Sequence, residues 1–171
     1  MNRRQLLSLS AGATLGRPVW AARTRGALAP EFKGNDAWIN SAPLQMSQLR
    51  GQVVLVDFWT YSCHNCLNAM PYVVRLDERY QKQGLVVVGV HTPEFDHERV
   101  LAHVEQAVKR LKIGFAVAQD NGYQTWNAWR NRYWPAQYLV DKSGRVAFSH
   151  VGEGAYEQIE DITKALLREA V

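Results

Sequence analysis

VVLVDFWTYSCHNCLNAMP, residues 53–71, joins an apolar run to two cysteines and then to the opening of a helical pattern. Residues 53–59 are aliphatic, aromatic or β-branched apart from Asp57, and such a run, bounded by Gly51, predicts a strand buried on both faces. A carboxylate in that setting needs a reason, because burial opposes its charge and raises its pKa. Beyond the strand, Leu67, Met70, Val73, Val74 and Leu76 recur at helical spacing, which puts Cys63 at a helix N-terminus. Unpaired N–H groups and partial positive charge favour a thiolate there, and the thiolate is the nucleophile of disulfide chemistry. The stretch therefore predicts a dithiol/disulfide redox centre in which Cys63, the outer thiol, attacks and Cys66 resolves the mixed disulfide.

The chain has 171 residues, which predicts one domain with a substantial core. Its first 21 residues carry Arg3 and Arg4, a diluted apolar stretch over 6–15 and then Arg17-Pro18, a pattern too short for a comfortable membrane span. This predicts an export signal over 1–21, and the paired arginines before Gln5-Leu6-Leu7 resemble the twin-arginine type; an uncleaved signal would act as a membrane anchor. Without it the chain holds 17 basic against 16 acidic residues, so the net charge of +4 belongs largely to the signal. That balance gives no support to nucleic-acid binding, which requires a clustered basic face. Both cysteines of the chain lie in the motif, so a disulfide within a monomer must join Cys63 to Cys66, and its short loop marks a labile, functional bond.

Outward from the motif, residues 22–35 read as a Gly/Ala/Arg-rich lead-in, and 38–40 and 44–46 as short edge strands. Pro71 predicts a kink in the cysteine helix. Gly84 ends the helical region and LVVVGV, 85–90, predicts a second buried strand, completing a right-handed βαβ unit. HTPEF, 91–95, is then a loop at the carboxyl end of that strand, on the same side of the sheet as the cysteines. A helix capped by Asp96 and running to about 111, a strand at 115–118, a short helix over 122–130, a hairpin over 136–151 and a terminal helix from 155 complete the pattern.

Asp57, Trp59, Cys63, Cys66 and Pro71 resemble, one by one, the active-site segment of thioredoxins. With HTPEF and WPAQYL (134–139), the wording WTYSCHNC more closely resembles the periplasmic TlpA-type thiol-disulfide oxidoreductases, especially the soluble redox domain of DipZ-like proteins. The resemblance covers residue 30 to the C-terminus. It implies an α/β thioredoxin fold over 36–171, a mixed sheet flanked by helices with an inserted strand and helix after the first βαβ unit. It also implies a periplasmic reductase of protein disulfides, a monomer with no cofactor and no metal, supplied with electrons by a membrane donor of the CcdA/DsbD type. By resemblance, Asp57 moves protons for Cys66 through water, Pro135 is a cis-proline facing the cysteines, and Trp59 and Trp134 bind substrate, Trp134 through its backbone. His64, between the cysteines, is a candidate stabiliser of the thiolate, set against a solvated side chain. TlpA-type proteins often carry a glutamate three residues after the second cysteine, where this chain has Ala69; Glu94 is the candidate substitute.

Other chemistries fit less well. A zinc site has no second cysteine pair and must recruit His91, His97, His103 or His150, and haem attachment needs a histidine where Leu67 stands. A thiol peroxidase is suggested by Thr60, three residues before Cys63, but the proline expected at Val56 is missing. A copper or zinc carrier using both cysteines with His91 or His97 is the non-enzymatic alternative.

Overall fold

The computed structural model describes residues 26–170; the expected export signal and the first part of the lead-in lie outside the described residues. Six strands form one sheet: β1 (Ala37–Ile39), β2 (Val53–Trp59), β3 (Leu85–His91), β4 (Ala116–Gln119), β5 (Ala136–Val140) and β6 (Val146–Val151). Their order is β1-β4-β3-β2-β5-β6. β2, β3 and β4 run parallel, whereas β1, β5 and β6 are added antiparallel. This mixed sheet, with helices on both faces, is the expected thioredoxin-like architecture.

β2 is the reason the layers exist. Every one of its residues is buried, and alternate side chains enter different cores. Val53, Leu55 and Trp59 join the layer built by α1 (His64–Tyr80), α2 (Leu101–Arg110) and α4 (Tyr156–Arg168). Val54, Val56 and Phe58 join the other, where α3 (Gln124–Ala128) supplies Trp126, its C-cap supplies Trp129, and a 3₁₀ turn, Met46–Leu49, supplies Met46 and Leu49. Each large side chain so buried contributes about 1.5–3 kcal/mol. The alternation assigns Asp57, between Leu55 and Trp59 in the period of two, to the α1 face.

Three local expectations are corrected. Residues 46–49 form the 3₁₀ turn where a strand over 44–46 was expected, because the Glu31 carboxylate accepts from the amides of Met46 (2.6 Å) and Ser47 (3.0 Å). The helix expected from Asp96 begins only at Leu101, after a separate 3₁₀ turn over Asp96–Arg99 and an extended Val100. α3 is shorter than expected; Asp120 caps it by accepting from the amides of Thr125 (3.2 Å) and Trp126 (2.8 Å). α1 itself continues on both sides of the exposed Pro71. Leu28 bridges to Arg145 beside the start of β6, and the amides of Ala29 and Val146 donate to the carbonyls of Gly144 and Ala27.

Gly89 of β3 stands beside Asp57, and a Cβ there would lie 3.0 Å from Trp59 Nε1 and 3.1 Å from the Phe115 ring. Gly89→Val is therefore expected to overpack the α1 layer and cost about 2 kcal/mol, read as a lowered midpoint in thermal or urea unfolding.

Candidate active site

The redox centre is assembled where β2 stops and α1 starts. Cys63 is the N-cap of α1, half-buried, and its sulfur accepts from the Cys66 amide at 3.3 Å. Its carbonyl accepts from the Leu67 amide at 3.0 Å, the first turn of the helix. Cys66 is buried, at 1 % exposure. Burial pushes its thiol far up, the hydrogen bond with Cys63 adds to this, and the Thr60 backbone amide pulls the other way by favouring the thiolate. An outer thiol in reach of solvent and an inner one held protonated are the asymmetry that sequential attack requires.

Asp57 is 2 % exposed on β2. Burial raises its carboxyl from 3.8 to about 7, partly offset by Gln137 of β5, whose Nε2 donates to Asp57 Oδ1 at 3.1 Å across the strand pair. Its charge is felt at Cys66, where it further disfavours the thiolate. A carboxyl that titrates near neutrality beside a buried thiol can both take and return a proton.

The Trp134–Pro135 peptide bond is cis, and the pairing of Phe58 with Ala136 sets it at the carboxyl end of β2, the end that carries the cysteines. Trp134 is half-buried; its indole N–H donates to the Thr92 carbonyl at 3.0 Å and its ring packs on Trp126 at 4.2 Å. The Pro135 carbonyl accepts from Gly152 at 2.8 Å, while the Trp134 backbone has no partner among the described residues.

Other candidate residues are placed differently. Trp59, expected to face substrate, is fully buried and packs in the core, because its position on β2 points it under α1. His64 is exposed at the first residue of α1. Glu94 is exposed as well; the buried carboxylate of its loop is Glu98, which sequence reading missed. Its signal was present: Glu98 follows Phe95 by three residues, the spacing of a carboxylate that turns back to an N-cap amide. Thr60 directs its hydroxyl to His91 Nε2 at 3.2 Å, a buried structural contact in place of a peroxidase threonine. His91 is wholly buried and His97 exposed, and among the described residues no three His, Cys, Asp or Glu side chains gather as a metal site.

The AhpC/TSA family model matches residues 26–149. The chain belongs to the AhpC/TSA family of thioredoxin-like proteins. It is 46 % identical over 145 residues to Protein DipZ of Mycobacterium bovis, covering 83 % of this chain but 21 % of DipZ, so it spans about a fifth of that relative. With the thiol-disulfide oxidoreductase YkuV of Bacillus subtilis it shares 29 % identity over 140 residues, 82 % of this chain and 94 % of YkuV. The solution structure of a thioredoxin-like protein in the oxidized form superposes with a TM-score of 0.76 at 30 % identity, covering 86 % of this chain and 98 % of that one. Family, fold and the paired cysteines together make the chain a thioredoxin-like domain that carries a Cys-X-X-Cys pair at a helix start.

The raised Asp57 carboxyl has a defined effect on stability. Its folded-state pKa, about 7, lies above the unfolded value of 3.8, so the native state holds the extra proton between these values and stability falls as pH rises through that window. The penalty is absent below about pH 4 and complete above about pH 7, where a three-unit shift corresponds to about 4 kcal/mol. Asp57→Asn keeps the acceptor for Gln137 without the charge. Urea unfolding of the reduced protein should find the variant more stable than the parent at pH 8 and the two nearly equal at pH 4.

Proposed function

We propose that the protein is an exported thiol-disulfide oxidoreductase that reduces protein disulfides, with Cys63 as nucleophile, Cys66 as resolving thiol and Asp57 as proton carrier. The observation that carries the reading is the stacking of groups at one helix start: an accessible sulfur at the N-cap, a buried protonated thiol one turn in, and beside that thiol a buried carboxyl poised near neutrality.

Cys63 thiolate attacks one sulfur of a substrate disulfide; that S–S bond breaks, and the departing sulfur leaves as a thiolate that takes up a proton. Asp57 then accepts the proton of Cys66 through water. Cys66 attacks the Cys63 sulfur, the Cys63–Cys66 disulfide forms, and the second substrate sulfur leaves and is protonated. Two electrons and two protons pass from the dithiol to the substrate. The Trp134 backbone, free on the loop before Pro135, suits pairing with an extended substrate chain, the role carried by the half-exposed Trp134 and the cis Pro135. His64 remains in place to modulate the thiolate from solvent, and Glu94 to act at the rim of the loop.

Export rests on residues 1–21, read as a twin-arginine-type signal, with a lead-in over 22–35 and the catalytic domain over 36–171. No helix among the described residues is long and apolar enough to cross a membrane. The periplasmic location, the reductive direction, the monomeric state and a membrane electron donor of the CcdA/DsbD type rest on the resemblance of WTYSCHNC, HTPEF and WPAQYL to TlpA-type proteins.

Cys66→Ser should accumulate mixed disulfides with protein substrates, visible as shifted bands on non-reducing gels, whereas Cys63→Ser should not; equal trapping by both would reverse the assignment of roles. Direction is tested separately by equilibrating the parent protein against glutathione. A potential near about −270 mV is expected of a reductase, and one near about −120 mV would identify an oxidant instead.

A further inference from the structure

Behind the cysteines lies a second buried cluster that the exchange steps do not use. Glu98 has no exposed surface, and both oxygens of its carboxylate are engaged. Oε1 accepts from the Ser62 amide at 3.3 Å and from the Ser62 hydroxyl; Oε2 accepts from the amides of Glu94 at 2.5 Å and Phe95 at 2.9 Å. Burial pushes the Glu98 carboxyl up, but hydrogen bonds from Ser62, Thr60, Phe95 and Glu94 outweigh it and hold the group below the usual glutamate range. It is therefore an anion at neutral pH. All of these donors are neutral, and no salt bridge to Glu98 is present among the described residues. The nearest histidine does not compensate it either, since burial depresses the His91 imidazole to about 4.

The three residues that lead from β2 to Cys63 are all held by this segment. The Thr60 hydroxyl meets His91 Nε2 at 3.2 Å, while its backbone amide serves the Cys66 sulfur. The Tyr61 ring stacks on His91 at 5.6 Å and its hydroxyl donates to the His97 carbonyl at 2.9 Å. Ser62, directly before the nucleophile, is gripped by Glu98 through both of its donors.

We propose that Glu98 is a positioning residue of the redox centre: it clamps Ser62, so fixing the approach to Cys63, and it holds a negative charge, without a salt-bridge partner among the described residues, against the residue before Cys63, which tilts the couple toward the disulfide. The inference rests on the reading of Cys63 as the exchanging thiol. Its physical basis is that a neighbouring anion disfavours a thiolate, and a couple whose thiolate is less stabilised is a stronger reductant. Because the carboxylate is buried, salt screens this effect little.

The test uses the full chain and the reaction in which the protein disulfide and two glutathione thiols yield the protein dithiol and glutathione disulfide. Glu98→Gln removes the charge while preserving shape. It should move the equilibrium constant about three- to tenfold toward the dithiol and speed alkylation of Cys63 at pH 7. Ser62→Ala keeps the charge and should leave the equilibrium within about twofold of the parent. A Glu98→Gln protein that is merely less stable, with the parent's equilibrium constant and alkylation rate, would make Glu98 a scaffold residue and overturn the proposal. If that variant does not fold, Glu98→Asp, which withdraws the charge by one methylene, should shift the equilibrium in the same direction, and an unchanged value would overturn the proposal equally. A parent that fails to exchange with glutathione at all would remove the oxidoreductase reading and this inference with it.

Discussion

β2 has a hydrogen-bonded neighbour on each edge and a packed layer on each face, and this double burial is the constraint on which the rest of the molecule depends. A strand so enclosed has no room for side-chain variation, so its length and register are set by packing. Its end at Trp59 is consequently a fixed point, and four residues later Cys63 caps α1. Cys63 is thus mounted at the end of the most enclosed strand while standing outside the sheet. The same enclosure raises the Asp57 carboxyl, since a carboxylate on this strand is buried and, among the described residues, accepts a hydrogen bond from the Gln137 amide alone.

Two buried carboxylates flank the dithiol, and their surroundings drive them apart. Asp57 accepts one side-chain hydrogen bond and is raised toward neutrality; Glu98 accepts from backbone amides and a hydroxyl and is lowered. Both residues are essentially unexposed, but Asp57 lies deeper and accepts a single side-chain hydrogen bond, whereas Glu98 lies nearer the surface and has several donors to offset its burial. Under such conditions one acid is suited to proton transfer and the other to permanent charge.

Much of this was legible in the chain. The seven apolar residues of β2, the helical spacing after Cys63 and the second run at 85–90 identified the βαβ unit, and the isolation of Asp57 among apolar neighbours foretold its burial. What escaped depends on partners remote in sequence or on the direction of a single side chain. The loss of the strand expected at 44–46 follows from Glu31, fifteen residues earlier, which accepts from the Met46 and Ser47 amides, and no local propensity records that. Trp59 was given a substrate-binding role by resemblance because motif matching ignores the period of two, which turns it inward. Glu98 was hidden by ordinary helix patterning: Asp96 looked like the cap, whereas the carboxylate three residues after Phe95 is the one folded back. The cis bond at Pro135 was legible only through resemblance, since an X-Pro pair alone favours trans.

The bridge between Leu28 and Arg145 has a mechanical consequence. β6 starts beside Val140 at the pole of the sheet where β2 begins, whereas the cysteines occupy the opposite pole where β2 ends. Gly26 to Ala29 therefore stand on the side of the domain away from the thiols, against the β5–β6 hairpin and not against the α1 start. A molecule seated over Cys63 would leave that junction untouched, so the two ends of the sheet can be occupied at once without competing for surface.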